Sequence, residues 1–175
     1  MTKIDYSKLE RLELDKENID DYLGYFNLIK QGMTNPDFMM DLSKDYLIKM
    51  IDKGTHIYVY IYKGFVISSG MLLPCDRNAI KLSGLDIDYH EVVEYGPQFV
   101  HPDYRGNHLQ YFMIDDLRYV AKSLGFKYAI GVINEKNEYS NNNAKKWGFL
   151  IKKIKIDGKM ENVYFNDLAY QEKRI

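Results

Sequence analysis

Apolar residues return at helical spacing most clearly from Leu109, where Leu109, Phe112, Met113, Leu117, Val120, Ala121 and Leu124 predict an amphipathic helix closed by Gly125. Ile19, Tyr22, Leu23, Phe26 and Ile29 predict an earlier helix ending near Gly32. Asn35 as N-cap and Pro36 at the first helical position open a second one. Its face of Phe38, Met39, Leu42, Tyr46, Leu47, Met50 and Ile51 runs to Gly54. Period-two alternation marks the strands. Leu9 to Leu14 form a short, charged first strand, and Ile57, Val59 and Ile61 alternate with Tyr58, Tyr60 and Tyr62 before Lys63-Gly64 turns the chain into Phe65 to Leu73. Pro74 to Leu85 reads as a loop with a short extended piece at Ala79 to Leu82. His90 to Val100 reads as a strand in which Gly96-Pro97 marks a bulge or a local loss of pairing.

The C-terminal third continues the alternation. Tyr128 to Ile133 is a short apolar strand, Glu138 to Trp147 a polar helix ending at Gly148, and Phe149 to Ile156 and Met160 to Leu168 two strands joined by Asp157-Gly158. The strand, helix and strand around residues 109–124 predict neighbouring parallel strands with a right-handed crossover. The order is strand, two helices, three strands, helix, strand, helix, two strands. No linker, repeat or low-complexity run divides it, so a single mixed α/β domain over residues 1–175 is expected.

Composition narrows the function. With 46% apolar and 28% charged residues the chain is an ordinary globular one, and 24 basic against 25 acidic residues give no reason to expect nucleic-acid binding. The single cysteine, Cys75, cannot form an internal disulfide, which favours a reducing, cytoplasmic setting. Met1-Thr2-Lys3-Ile4-Asp5 lacks the apolar core of a signal peptide, and nothing approaches the ~20 apolar residues of a membrane span. No Cys/His cluster has zinc-ligand spacing, so no metal is expected, and His56, His90 and His101 read as surface or strand residues.

Candidate chemistry lies just before the strongest helix. Val100-His101-Pro102-Asp103-Tyr104-Arg105-Gly106-Asn107-His108-Leu109-Gln110 reads as a strand end, a glycine-bearing loop and a helix start. The first N–H groups of a helix lack partners, and the positive end of its dipole faces the same spot, so this joint is a prospective anion cradle. It carries neither the Gly-Lys-Ser/Thr ending of a P-loop nor the three glycines of a dinucleotide fingerprint.

That segment, with Asn137-Glu138-Tyr139-Ser140 followed by Gly148-Phe149 and the order of elements, resembles the GNAT family of acetyl-CoA-dependent N-acetyltransferases. The resemblance implies a mixed α/β sheet of order β-α-α-β-β-β-α-β-α-β-β with parallel strands that splay at its centre. The family's signature loop has the form Gln/Arg-x-x-Gly-x-Gly/Ala; Arg105 matches its first position, while His108 and Gln110 stand where small residues are usual. Its pyrophosphate contacts are mostly main-chain, and a histidine keeps its N–H. By resemblance, Arg105, Gly106, Asn107, His108, Leu109 and Gln110 hold the pyrophosphate of coenzyme A. Gln98, Phe99 and Val100 pair with its pantetheine arm, and Asn137 and Ser140 contact its pantetheine or adenosine end.

Acetylating an amine requires an acceptor for the amine's proton and tolerates loss of a thiolate. Glu94 stands where several family members carry a glutamate base, with Glu91 or a water as rivals. Ala144 occupies the position of the family's thiolate-protonating tyrosine, so either Tyr139 takes that role or the thiolate leaves unaided. Cys75 has no histidine neighbour in sequence and reads as a small buried residue. The expected partners are acetyl-CoA and a primary amine of a small molecule, peptide or protein. A non-catalytic acyl-CoA-binding or protein-interaction module on the same fold is the alternative. Oligomeric state is open, a homodimer included.

Overall fold

The computed structural model describes residues 3–169; Met1 and Thr2, part of the stretch read for a leader, lie outside it. The chain divides into two compact units interleaved in sequence: Met1–Leu73 with Pro97–Met113, and Pro74–Gly96 with Ile114–Ile175.

In the first unit β1 (Leu9–Glu13), β2 (His56–Tyr62) and β3 (Phe65–Pro74) form an antiparallel meander, and β2 carries a bulge between Tyr60 and Ile61. Helix α1 (Ile19–Gln31) buries Ile19, Tyr22, Phe26 and Ile29 in one core cluster with Leu47 of α2 (Lys44–Asp52), Ile57, Val59 and Met71. The second helix starts eight residues later than the periodicity from Asn35 predicts. Pro36 opens only a 3-10 turn, Pro36–Phe38, and Ser43 is the true cap, accepting from the Tyr46 N–H at 3.2 Å. Met39 and Leu42 are buried all the same, on a non-helical stretch, so apolar spacing alone could not separate the two conformations.

In the second unit the strand order is β4 (Val92–Tyr95), β6 (Tyr128–Asn134), β8 (Lys159–Asp167) and β7 (Phe149–Ile156). β4 and β6 run parallel with Glu94 opposite Ile130, as the crossover pattern predicts, while β6·β8 and β7·β8 are antiparallel. Residues 74–85 are not the loop expected from their Pro, Cys, Asp and Asn. Arg77–Ser83 is a helix, α3, capped by Asp76, whose carboxylate accepts from the Ala79 N–H at 2.7 Å, and it buries Ile80 with Val92, Cys75 and Ile130. The predicted strand over residues 90–100 is instead a 3-10 turn, Tyr89–Glu91, then β4, then β5 (Phe99–Val100), with the break at Gly96-Pro97. Proline offers no N–H to a ladder, so pairing stops there rather than bulging.

Helix α4 (Leu109–Ser123) and helix α5 (Glu138–Trp147) follow the sequence reading closely. Gly148, after α5, is required by close approach: a Cβ there would stand 2.6 Å from the Phe165 carbonyl oxygen of β8. None of the helices among the described residues is long and apolar enough to cross a membrane.

Candidate functional site

The prospective anion cradle belongs to the first unit. β5 pairs with β3, Ser68 opposite Val100 and Ser69 opposite Phe99, and the His101 N–H continues the contact to the Ile67 carbonyl at 2.8 Å. Pro102–Tyr104 forms a 3-10 turn, so the chain leaves the sheet at once. Gly106 (φ 81°) and His108 (φ 57°) then both adopt the left-handed conformation. For glycine this is free, but a residue with a Cβ is strained there by about 1–2 kcal/mol. The His108 carbonyl accepts the first helical hydrogen bond of α4, from the Phe112 N–H at 3.0 Å. The cradle thus lies at the N-terminus of α4, which begins at Leu109 and where the positive end of the helix dipole is found.

The side chains of this loop divide between structure and solvent. Arg105 and His108 are exposed. Asn107 is tied down: its Oδ1 accepts from the Ile4 N–H at 3.3 Å, its Nδ2 donates to the Tyr104 carbonyl at 3.0 Å, and its carbonyl accepts from the Tyr6 hydroxyl. Gln110 Nε2 donates to Gln98 Oε1 at 3.4 Å, joining two residues that the resemblance assigns to the same cofactor. Replacing His108 with valine, whose β-branch suits left-handed backbone poorly, is expected to cost about 1–2 kcal/mol. Thermal unfolding should show a fall of roughly 2–8 °C. His108→Gly should not lower it.

The second unit holds the candidate base. Glu94, half-buried on β4, has its carboxyl pushed up to about 7, first by burial and then by the neighbouring Asp76 carboxylate. Cys75 is buried beside the same groups, and burial with the Glu94 and Asp76 charges raises its thiol to about 12, so it stays protonated and is no nucleophile at neutral pH. Glu91, the rival base, sits in an ion pair with Lys127.

Asn137 caps α5, its Oδ1 accepting from the Ser140 N–H at 3.2 Å. The next turn contains a polar hub that the sequence reading missed. Asn141 Nδ2 donates to the carbonyls of Asn134 (2.9 Å) and Asn137 (2.8 Å), while Asn141 Oδ1 accepts from Asn162 Nδ2 (2.8 Å) and the Tyr164 hydroxyl (2.9 Å). Ala144 is fully buried, whereas Tyr139 is 87% exposed. Trp147 lies against β6, where a Cβ on Gly131 would meet its ring at 2.9 Å, and it packs edge-on against Tyr95 with centroids 4.9 Å apart.

No family model matches the sequence, and no curated protein does. Solved structures do. An N-acetyltransferase from Staphylococcus aureus Mu50 superposes with a TM-score of 0.70 at 17% identity, covering 91% of this chain and 98% of that one. The yncA protein of Salmonella typhimurium, solved with its cofactor acetyl-CoA, gives 0.68 at 14% identity over 92% and 94% of the two chains. An acetyltransferase of the GNAT family from Streptococcus pneumoniae gives 0.70 at 8% identity over 91% and 98%. The chain has the GNAT fold. Within a GNAT fold the two departures noted in the sequence acquire a place. His108 stands where the loop turns left-handed, the conformation for which glycine is the usual solution. Ala144 stands buried on α5 where the family resemblance expects a tyrosine.

Proposed function

We propose that the chain transfers an acetyl group from acetyl-CoA to a primary amine of a small molecule, peptide or protein by direct attack on the thioester. The observation that carries this reading is the loop: Gly106 and His108 are both left-handed, directly before the N-terminus of α4 at Leu109. Such a loop fits a diphosphate, because the donors are main-chain and the dipole of α4 adds positive potential. Arg105, exposed beside them, supplies a full positive charge. The backbone of Gln98, Phe99 and Val100 receives the pantetheine arm, and Asn137 and Ser140 at the start of α5 contact the coenzyme.

Glu94 then acts as the proton acceptor. A carboxyl titrating at about 7 is about half ionised at neutral pH, so it can take a proton from an attacking amine and release it again. The carbon–nitrogen bond forms as the carbon–sulfur bond breaks, and the proton passes from the amine nitrogen to Glu94. The departing thiolate needs no acid from the chain, since its own pKa is moderate. That fits the exposure of Tyr139 and the alanine at position 144.

Buried Ala144 also favours a second reading, a coenzyme-binding module without chemistry. Calorimetry with acetyl-CoA, followed by thiol release with a panel of polyamines, amino acids and peptides, separates the two. Saturable binding with amine-dependent thiol release is the expected result. Binding with no release from any amine supports the module, and no binding at all removes both.

A further inference from the structure

The segment before β1 folds back onto the loop of the same unit. Tyr6, in the 3-10 turn Tyr6–Lys8, donates its hydroxyl to the Asn107 carbonyl and lays its ring on Phe112 of α4, with centroids 4.8 Å apart. Two further contacts anchor this segment. The Ile4 N–H donates to Asn107 Oδ1 at 3.3 Å, and the Asp5 N–H to the Tyr62 hydroxyl at 3.3 Å.

The Asn107 carbonyl and the His108 N–H belong to one peptide unit. In a trans peptide the two point in opposite directions, so a hydrogen bond that fixes the carbonyl also fixes the N–H, here away from Tyr6. Donation to the carbonyl polarises the unit as well and makes its N–H a better donor. The orientation needs holding. His108 pays a conformational cost at φ 57°, and rotation of this peptide would let it relax toward negative φ. The Tyr6 hydroxyl opposes that rotation.

We infer that Tyr6 is a positioning residue for the anion-binding loop: it holds the Asn107–His108 peptide with the His108 N–H presented to the pyrophosphate of coenzyme A. This rests on the cofactor reading above and adds to it a residue from outside the loop, in a segment with no signature of its own. Arg105 and the helical N–H groups would bind a diphosphate without Tyr6, but less tightly.

Tyr6→Phe tests it, because the ring and its contact with Phe112 remain and only the hydroxyl is lost. Wild type and variant are compared with acetyl-CoA and with acetyl-pantetheine, which carries the thioester and arm but no pyrophosphate. The expected result is an acetyl-CoA Kd weakened about threefold to tenfold, the scale of one hydrogen bond. KM for acetyl-CoA should rise with kcat held, and kcat/KM for acetyl-pantetheine should be unchanged. An equal loss with both donors, or none with either, overturns the inference. Failure of the wild type itself to bind acetyl-CoA removes the cofactor reading, and the inference with it.

The wild-type chain carries a second test that does not depend on the variant's stability. Inorganic pyrophosphate should shift the His108 amide resonance along with those of Leu109 and Tyr111. A His108 resonance that stays in place while its neighbours move would overturn the assignment.

Discussion

Glu94→Gln is expected to lower kcat about 10²–10⁴-fold, the usual worth of a general base. The wild-type rate should climb about tenfold per pH unit below about 7 and level off above it, because only the ionised carboxylate accepts a proton. In the glutamine variant that limb should vanish. The same substitution has a stability signature that is independent of the reaction. Glu94 titrates at about 7 in the folded chain, raised from 4.5, so between these values the native state holds a proton that the unfolded chain has released. Stability therefore falls as pH rises through this window, by about 1.4 kcal/mol per unit and on the order of 3 kcal/mol in all. Glutamine does not ionise. Glu94→Gln should match wild type near pH 4 and exceed it near pH 8 by roughly 6–12 °C in Tm. Unfolding curves recorded at both pH values check this. A constant difference between them would mean that Asp76 and burial do not perturb Glu94, and the case for it as base would go.

Asn141→Ala should produce the largest loss of stability, about 3–4 kcal/mol by urea unfolding. Its side chain is 5% exposed and serves the Asn134 and Asn137 carbonyls, Asn162 and Tyr164 at once. Alanine leaves these groups without that partner, and each unsatisfied buried group costs about 1–3 kcal/mol, reduced here wherever water enters. The effect also reaches function. The amide ties the end of β6 to the first turn of α5, where Asn137 and Ser140 stand, so the surviving folded fraction should bind acetyl-CoA more weakly. A loss below about 1 kcal/mol would show that the hub is dispensable.

Much of this architecture was legible along the chain. Asn137 and Gly148 bracket α5, Gly125 ends α4, and Lys63-Gly64 and Asp157-Gly158 close the two hairpins, each a signal confined to a few residues. Where such signals were weak the reading failed. Helix α3 has seven residues, too few for a helical period to be read, and only the Asp76 cap announced it. The start of α2 was misplaced because Met39 and Leu42 are buried on a non-helical stretch as well as they would be on a helix.

The candidate site divides in the same way. Its main chain was written locally: Pro102 ends β5, Gly106 turns the loop, and Leu109 begins a helix, since these follow from steric limits and hydrogen-bond geometry within one or two turns. The electrostatic state of Glu94 depends instead on Asp76, eighteen positions away in sequence, and on how much water the packing around β4 excludes. The contact of Tyr6 with Asn107 spans 101 positions. Desolvation and hydrogen bonding act between neighbours in space, and only the folded chain decides which residues become neighbours.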